Sequence, residues 1–190
     1  TATTVFYTLS LHDALPISWQ PDEDLFIEYF NQHPEVKLVI APHVIDENHL
    51  VEIIRKLKRP YVRYTRADEK NVRKADCLII DCFGLLSSIY RYGEIAYIGG
   101  GFGVGIHNTL EAAVYGIPVI FGPKYQKFQE AIQLLEAKGA FSVKDYEELK
   151  TLLDRMLTDE VFLRESGMNA SNYVTGNAGA TDKIMSMINF

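Results

Sequence analysis

The chain has 190 residues, 47% of them hydrophobic and 23% charged, with 13 glycines and 7 prolines spread along it, which suits one globular domain with a substantial core and excludes fibrous or disordered polymers. A formal net charge of −6 has the wrong sign for a surface that neutralises nucleic-acid phosphates, and no apolar run reaches the length of a membrane-spanning helix. Two cysteines, Cys77 and Cys82, form neither a zinc spacing nor a disulfide framework, so a reducing, intracellular setting is the default expectation.

Residues 1–18 are set aside from fold reasoning. No Met opens the chain, and residues 8–18 resemble the in-frame translation of a sequencing-adapter oligonucleotide, a type of segment that carries no fold information. Native sequence is expected from Trp19. Pro21 and Asp22 open a helix in which Leu25, Phe26, Tyr29 and Phe30 recur at helical spacing, and Pro34 ends it. A β-branched strand at 36–40 runs into the loop Ala41, Pro42, His43, and Asp46 then caps a helix carrying Leu50, Ile53, Ile54 and Leu57. The alternation continues with strands at 61–64 and 77–81, a helix at 85–92, a strand at 95–98, a helix at 108–115 and a strand at 118–121. Helices follow at 126–138, 145–157, 160–173 and 180–188, with one strand at 140–143. Short, continuously apolar strands separated by helices predict an α/β domain with a doubly wound parallel sheet, its ligand at the strands' carboxyl ends.

The most informative segment runs from Gly99 to Glu111 between a strand and a helix, with glycine at 99, 100, 101, 103 and 105. Glycines lose much backbone entropy on ordering, so such a run implies close approach of something to the main chain. One reading is a phosphate turn, in which amides and a helix's positive end face an anion; the other is a tight turn that serves packing alone. The spacing departs from the dinucleotide fingerprint, and no lysine follows as in a P-loop, which favours a mononucleotide phosphate. Asn108 and Glu111 also admit two readings, a reciprocal capping pair or a carboxylate that holds ribose hydroxyls.

The order Ala41-Pro42-His43, residues 81–84, Ile98-Gly99-Gly100, His107-Asn108-Thr109-Leu110-Glu111, Gly116-Ile117-Pro118-Val119 and Gly122-Pro123 with Phe128 resembles the carboxy-terminal half of bacterial 3-deoxy-D-manno-octulosonic acid (Kdo) transferases, from about Trp19 to the end. The resemblance implies a Rossmann-like C-terminal domain of a GT-B glycosyltransferase, with residues 19–190 as the nucleotide-sugar donor-binding domain and the acceptor domain missing. The full protein would transfer Kdo from CMP-Kdo to a lipid A precursor in lipopolysaccharide synthesis, at the cytoplasmic face of the inner membrane and without a cofactor. Carried over by position, Pro42 and His43 would border the donor, Gly84 would lie near the base, Gly99 and Gly100 would form the phosphate turn, and Asn108 and Glu111 would hold donor phosphate and ribose, with the helix end near His107, also counted as donor-binding, supplying further donors. The catalytic base and the membrane-associating surface are expected in the missing amino-terminal half, so the fragment alone is expected to be soluble and inactive, and no metal ligand is expected in this chain.

Two departures bear on the site. Where many members carry an arginine this chain has His43, a weaker cation, so that Lys124, Lys127 or Arg66 would share the phosphate. Lys127 stands where many have asparagine. Elsewhere, His33 and His49 read as surface residues, Cys77 and Cys82 as apolar fillers, and Asp81 equally as donor ligand or cap. Arg55, Lys56, Lys58 and Arg59 read as a solvated helix end, with membrane contact as the alternative. A UDP-sugar glycosyltransferase or epimerase of the same architecture, and a non-catalytic regulatory module, remain as competing functions.

Overall fold

The structure, a computed structural model, describes residues 13–18 and 20–178. In chain order the elements are β1 (Asp13–Ser18), α1 (Gln20–Gln32), β2 (Lys37–Pro42), α2 (Glu47–Lys56), β3 (Tyr61–Arg63), α3 (Glu69–Val72), β4 (Cys77–Ile79), α4 (Leu86–Ile89), β5 (Ile95–Ile98), α5 (Leu110–Ala113), β6 (Val119–Phe121), α6 (Gln129–Glu136), β7 (Ala140–Ser142), α7 (Tyr146–Thr158) and α8 (Glu160–Asn177). Among the described residues the strands form one parallel sheet in the order β3-β4-β2-β1-β5-β6-β7.

Parallel neighbours need crossovers, and helices supply them on both faces, so β4, β5 and β6 are buried at every residue. Side-chain alternation then divides the core in two. Val39, Leu78, Ala96, Ile98, Val119 and Phe121 face a layer containing Tyr90, Ala112, Leu134 and Ala170. Leu38, Ile40, Ile79, Tyr97 and Ile120 face the opposite layer of Phe26, Phe30, Leu50, Ile53, Leu149 and Leu153. The chain winds outward from β1 through β2 on one side and resumes at β5 on the other, so the topological switch lies between β1 and β5.

Local chemistry sets the helix starts. Asp46 caps α2 as expected, accepting from the Asn48 and His49 amides at 2.9 and 3.1 Å. Asp145 and Asp159 do the same for α7 and α8. The basic cluster is not a solvated helix end throughout. Arg55 pairs with Glu52 and Lys56 with Asp24. Arg59 donates to the carbonyls of Phe30, His33, Val36 and Pro34 at 2.8 to 3.0 Å, and its guanidinium lies 4.0 Å above the Phe30 ring.

Four features differ from the sequence expectation. The middle of the sheet is filled by β1, which falls in the stretch excluded from fold reasoning; α1 must be preceded by a strand if it is to cross over to β2, and Asp13–Ser18 takes that place. Within it Pro16 stands opposite Tyr97 and has no N–H to give the ladder. The helix at 108–115 shrinks to α5 because Val114 and Tyr115 turn and Gly116, at φ +72°, closes the turn. The helix at 85–92 becomes α4 followed by a 3-10 turn at Tyr90–Tyr92. The short α3, with its Asp68–Asn71 capping box, was not foreseen. The helix expected at 180–188 lies outside the described residues. Among the described residues, no helix is long and apolar enough to cross a membrane.

Candidate functional site at the strand carboxyl ends

The loop after β5 is folded on itself. The Gly100 carbonyl accepts from the amides of Gly103 and Gly105 at 2.9 and 3.0 Å, and the Gly99 carbonyl from that of His107 at 3.3 Å. Lys124 ties the loop to the segment after β6, its amide donating to the Gly101 carbonyl at 2.9 Å and its Nζ to the Gly103 carbonyl at 3.0 Å. Gly100 sits at φ +93°, where a side chain would strike the Gly105 carbonyl oxygen, and a Cβ on Gly101 would lie 2.5 Å from the Gly122 nitrogen. The glycines are therefore demanded by contact between two backbones.

One amide of the expected phosphate turn is used inside the chain. The Gly100 amide points inward and donates to Asp22 Oδ2 at 2.9 Å, while Asp22 Oδ1 accepts from the Tyr97 hydroxyl at 2.9 Å. Asp22 is fully buried at the start of α1; burial pushes its carboxyl up, against the pull of these two donors. The amides of Gly100, Gly103, Gly105 and His107 are thus engaged inside the chain.

Side chains converge here from two strand ends. His43, exposed after β2, stacks on half-buried His107 with ring centroids 4.5 Å apart and planes inclined by 27°. Burial chiefly, and then the neighbouring His43, lower the His107 pKa, while Glu111 acts in the opposite direction. Asn108 Oδ1 accepts from the Leu110 amide at 3.0 Å and its Nδ2 donates to Glu111 Oε1 at 3.1 Å. The reciprocal capping pair is not formed: Asn108 closes a turn onto Leu110, Thr109 precedes α5 without a side-chain cap, and Asn108 holds the half-buried Glu111 carboxylate in place. Beside His43 lies a pocket of about 270 Å³ lined by Ala41, Pro42, His43, Ile45, Ile80, Cys82, Phe83 and Gly84. Phe83, 83% exposed at its lip, is a residue that sequence reasoning passed over. Pro42, His43 and Gly84 therefore share one pocket, and the stack joins them to His107, Asn108 and Glu111. A larger groove of about 630 Å³ runs along β7 beside α7, away from this cluster.

The remaining candidates resolve into structure. Asp81 accepts from Arg63 Nε at 2.8 Å and from the Thr65 amide and hydroxyl at 2.9 and 2.6 Å, which makes it a tie between β4 and β3. His49 is half-buried and meets the buried Glu23 at 2.9 Å, and His33 stacks on Tyr29, so neither is simply solvated. Burial raises both thiols, which keeps Cys77 and Cys82 protonated. No cluster of metal-ligating side chains occurs among the described residues.

The chain is 36% identical over 135 residues to a 3-deoxy-D-manno-octulosonic acid transferase of Aquifex aeolicus, an alignment covering 70% of this chain and 37% of that protein. A transferase of the same description from Rickettsia bellii is 32% identical over 116 residues, 60% of this chain and 28% of that one. The chain is a relative of the Kdo transferases. It spans little more than a third of the length of the first of these Kdo transferases and less of the second. Its fold is that of a GT-B carboxy-terminal domain. The C-terminal CMP-Kdo binding domain of WaaA from Acinetobacter baumannii matches with a TM-score of 0.78 at 18% identity, over 91% of this chain and 95% of that one. No family model matches the chain.

Proposed function

We propose that this chain is the donor-binding part of a Kdo transferase, residues 19–190 being the native part of the nucleotide-sugar domain and residues 1–18 adapter-derived, with Asp13–Ser18 filling the sheet's central place. In the full protein a partner domain binds a lipid A precursor at the inner-membrane surface and supplies the catalytic base; the present chain supplies the grip on CMP-Kdo. The observation that carries this reading is the convergence of His43, His107, Asn108 and Glu111 beside an apolar pocket at the strand ends, in a chain whose relatives are Kdo transferases.

Each group has a task that its chemistry suits. The pocket below Phe83 takes the cytosine ring against Ile45 and Ile80. Glu111, held by Asn108, accepts from the ribose hydroxyls. His43 and His107 meet the phosphodiester and the sugar carboxylate, and Lys124 stands on the far side of the glycine loop. An acidic chain can bind such an anion only where local donors overcome its net field, which is the work of this corner.

Calorimetry of the 190-residue chain with CMP and CMP-Kdo tests the reading. Binding is expected, with affinity lowered about tenfold or more by Glu111→Ala, equivalent to at least one strong hydrogen bond to a charged acceptor. Equal or tighter binding of UDP supports the UDP-sugar alternative, and no nucleotide binding by folded protein supports the regulatory one.

A further inference from the structure

We propose that His43 and His107 act as one anion-binding unit that takes up a proton as the donor arrives, so that donor affinity falls as pH rises through neutrality. The proposal rests on the donor-binding reading above and adds how its cation is supplied. The rings come from loops on opposite flanks of β1 and stack at 4.5 Å between centroids. Two imidazolium ions cannot both form easily at that separation, so the pair titrates in two steps and holds at most one proton readily.

The charged groups around the pair set the direction. On α5, Glu111 lies near enough to favour a proton on His107, against burial and the neighbouring ring. From the end of β4, Cys82 shares the pocket with His43 but is kept neutral by burial, and Asp81 spends its charge on Arg63 and Thr65. Asp22, below the loop, is tied to Tyr97 and the Gly100 amide, and Lys124 reaches the Gly103 carbonyl on the other side. An incoming phosphodiester or carboxylate adds negative charge on the open face, which raises the pair's proton affinity. By linkage the ligand then prefers the protonated pair. Affinity is full below the pair's pKa in the free chain and declines by up to about tenfold per pH unit until the bound-state pKa is passed. A fixed guanidinium at position 43 would hold His107 neutral by like-charge repulsion and so remove the step.

The test uses the 190-residue chain and the methyl phosphodiester of CMP, whose single phosphate charge does not change near neutral pH. Calorimetry at pH 7 in two amine buffers of different ionisation enthalpy reads protons taken up on binding, and NMR of the imidazole resonances follows His43 and His107 directly. The expected result is uptake of a substantial fraction of one proton, two linked titration steps for these residues, and affinity that weakens toward pH 8.5. His43→Arg, on an exposed position, is expected to abolish the uptake and to flatten the pH dependence of binding. Binding without proton uptake, or a pH slope unchanged in His43→Arg, overturns the proposal and leaves the donor site standing. Absence of binding at every pH by folded protein removes the donor reading, and this inference with it.

Discussion

Two polar clusters stand at strand ends of the same sheet edge and differ in how far their groups are used. After β4, the buried Asp81 carboxylate accepts three hydrogen bonds from Arg63 and Thr65, and Arg63 continues to Glu47. After β5, Glu111 is half-exposed and steered by Asn108, and His107 is stacked on a histidine from another loop. Both clusters occupy the place where doubly wound domains bind ligands. The first has turned its charge inward to join β3 to β4, whereas the second presents its groups to the crevice. Position at a strand's carboxyl end is thus a weak sign of function until the partners of each group are known.

The comparison can be broken at three points. The largest effect is expected from Gly100→Ala, which forces a side chain onto the Gly105 carbonyl at a left-handed φ and disturbs the floor beneath the open cluster. A loss of about 3 kcal/mol in urea unfolding is expected; a loss under about 1 kcal/mol would mean that the loop relaxes freely and offers no rigid floor.

Asp81→Ala comes next. Removing the shared acceptor is expected to lower stability by about 1–3 kcal/mol while nucleotide affinity in calorimetry stays unchanged. The pH dependence carries a sign. Burial pulls the Asp81 carboxyl upward, but the Thr65 and Arg63 bonds outweigh it and hold the pKa below its ordinary value. The stabilisation is therefore present above the ordinary carboxylate range and lost as pH falls through the folded-state value, so the variant's deficit should narrow in acid. A fall in nucleotide affinity would erase the distinction between the clusters.

The smallest effect on folding is expected from Glu111→Ala, whose stability should stay within about 0.5 kcal/mol of the parent by thermal or urea unfolding even though its ligand affinity drops. A large stability loss there would make Glu111 a second Asp81.

Much of this architecture was legible in the sequence because it follows from periodicity and short-range chemistry. The strand-helix alternation, the Asp46 cap and the continuously apolar β4, β5 and β6 needed no tertiary knowledge. What escaped depends on contacts between distant segments. Asp22 read as an ordinary first-turn acid, since nothing nearby announces that Tyr97 and the Gly100 amide will close over it. The glycine run was rightly seen to need close approach, but the segment that approaches includes Gly122, which only the pairing of β5 with β6 brings there. The His43–His107 stack likewise has no local spacing, because the topology places the two loops side by side. β1 falls in the stretch that resembles adapter translation, where the sequence offers no expectation of a strand.

Arg59 has a consequence of another kind. Its guanidinium, caged by four carbonyls and resting on Phe30, pins the turn between α1 and β2 to the residues that lead into β3. One side chain thus sets where β2 and β3 begin, on either side of β4.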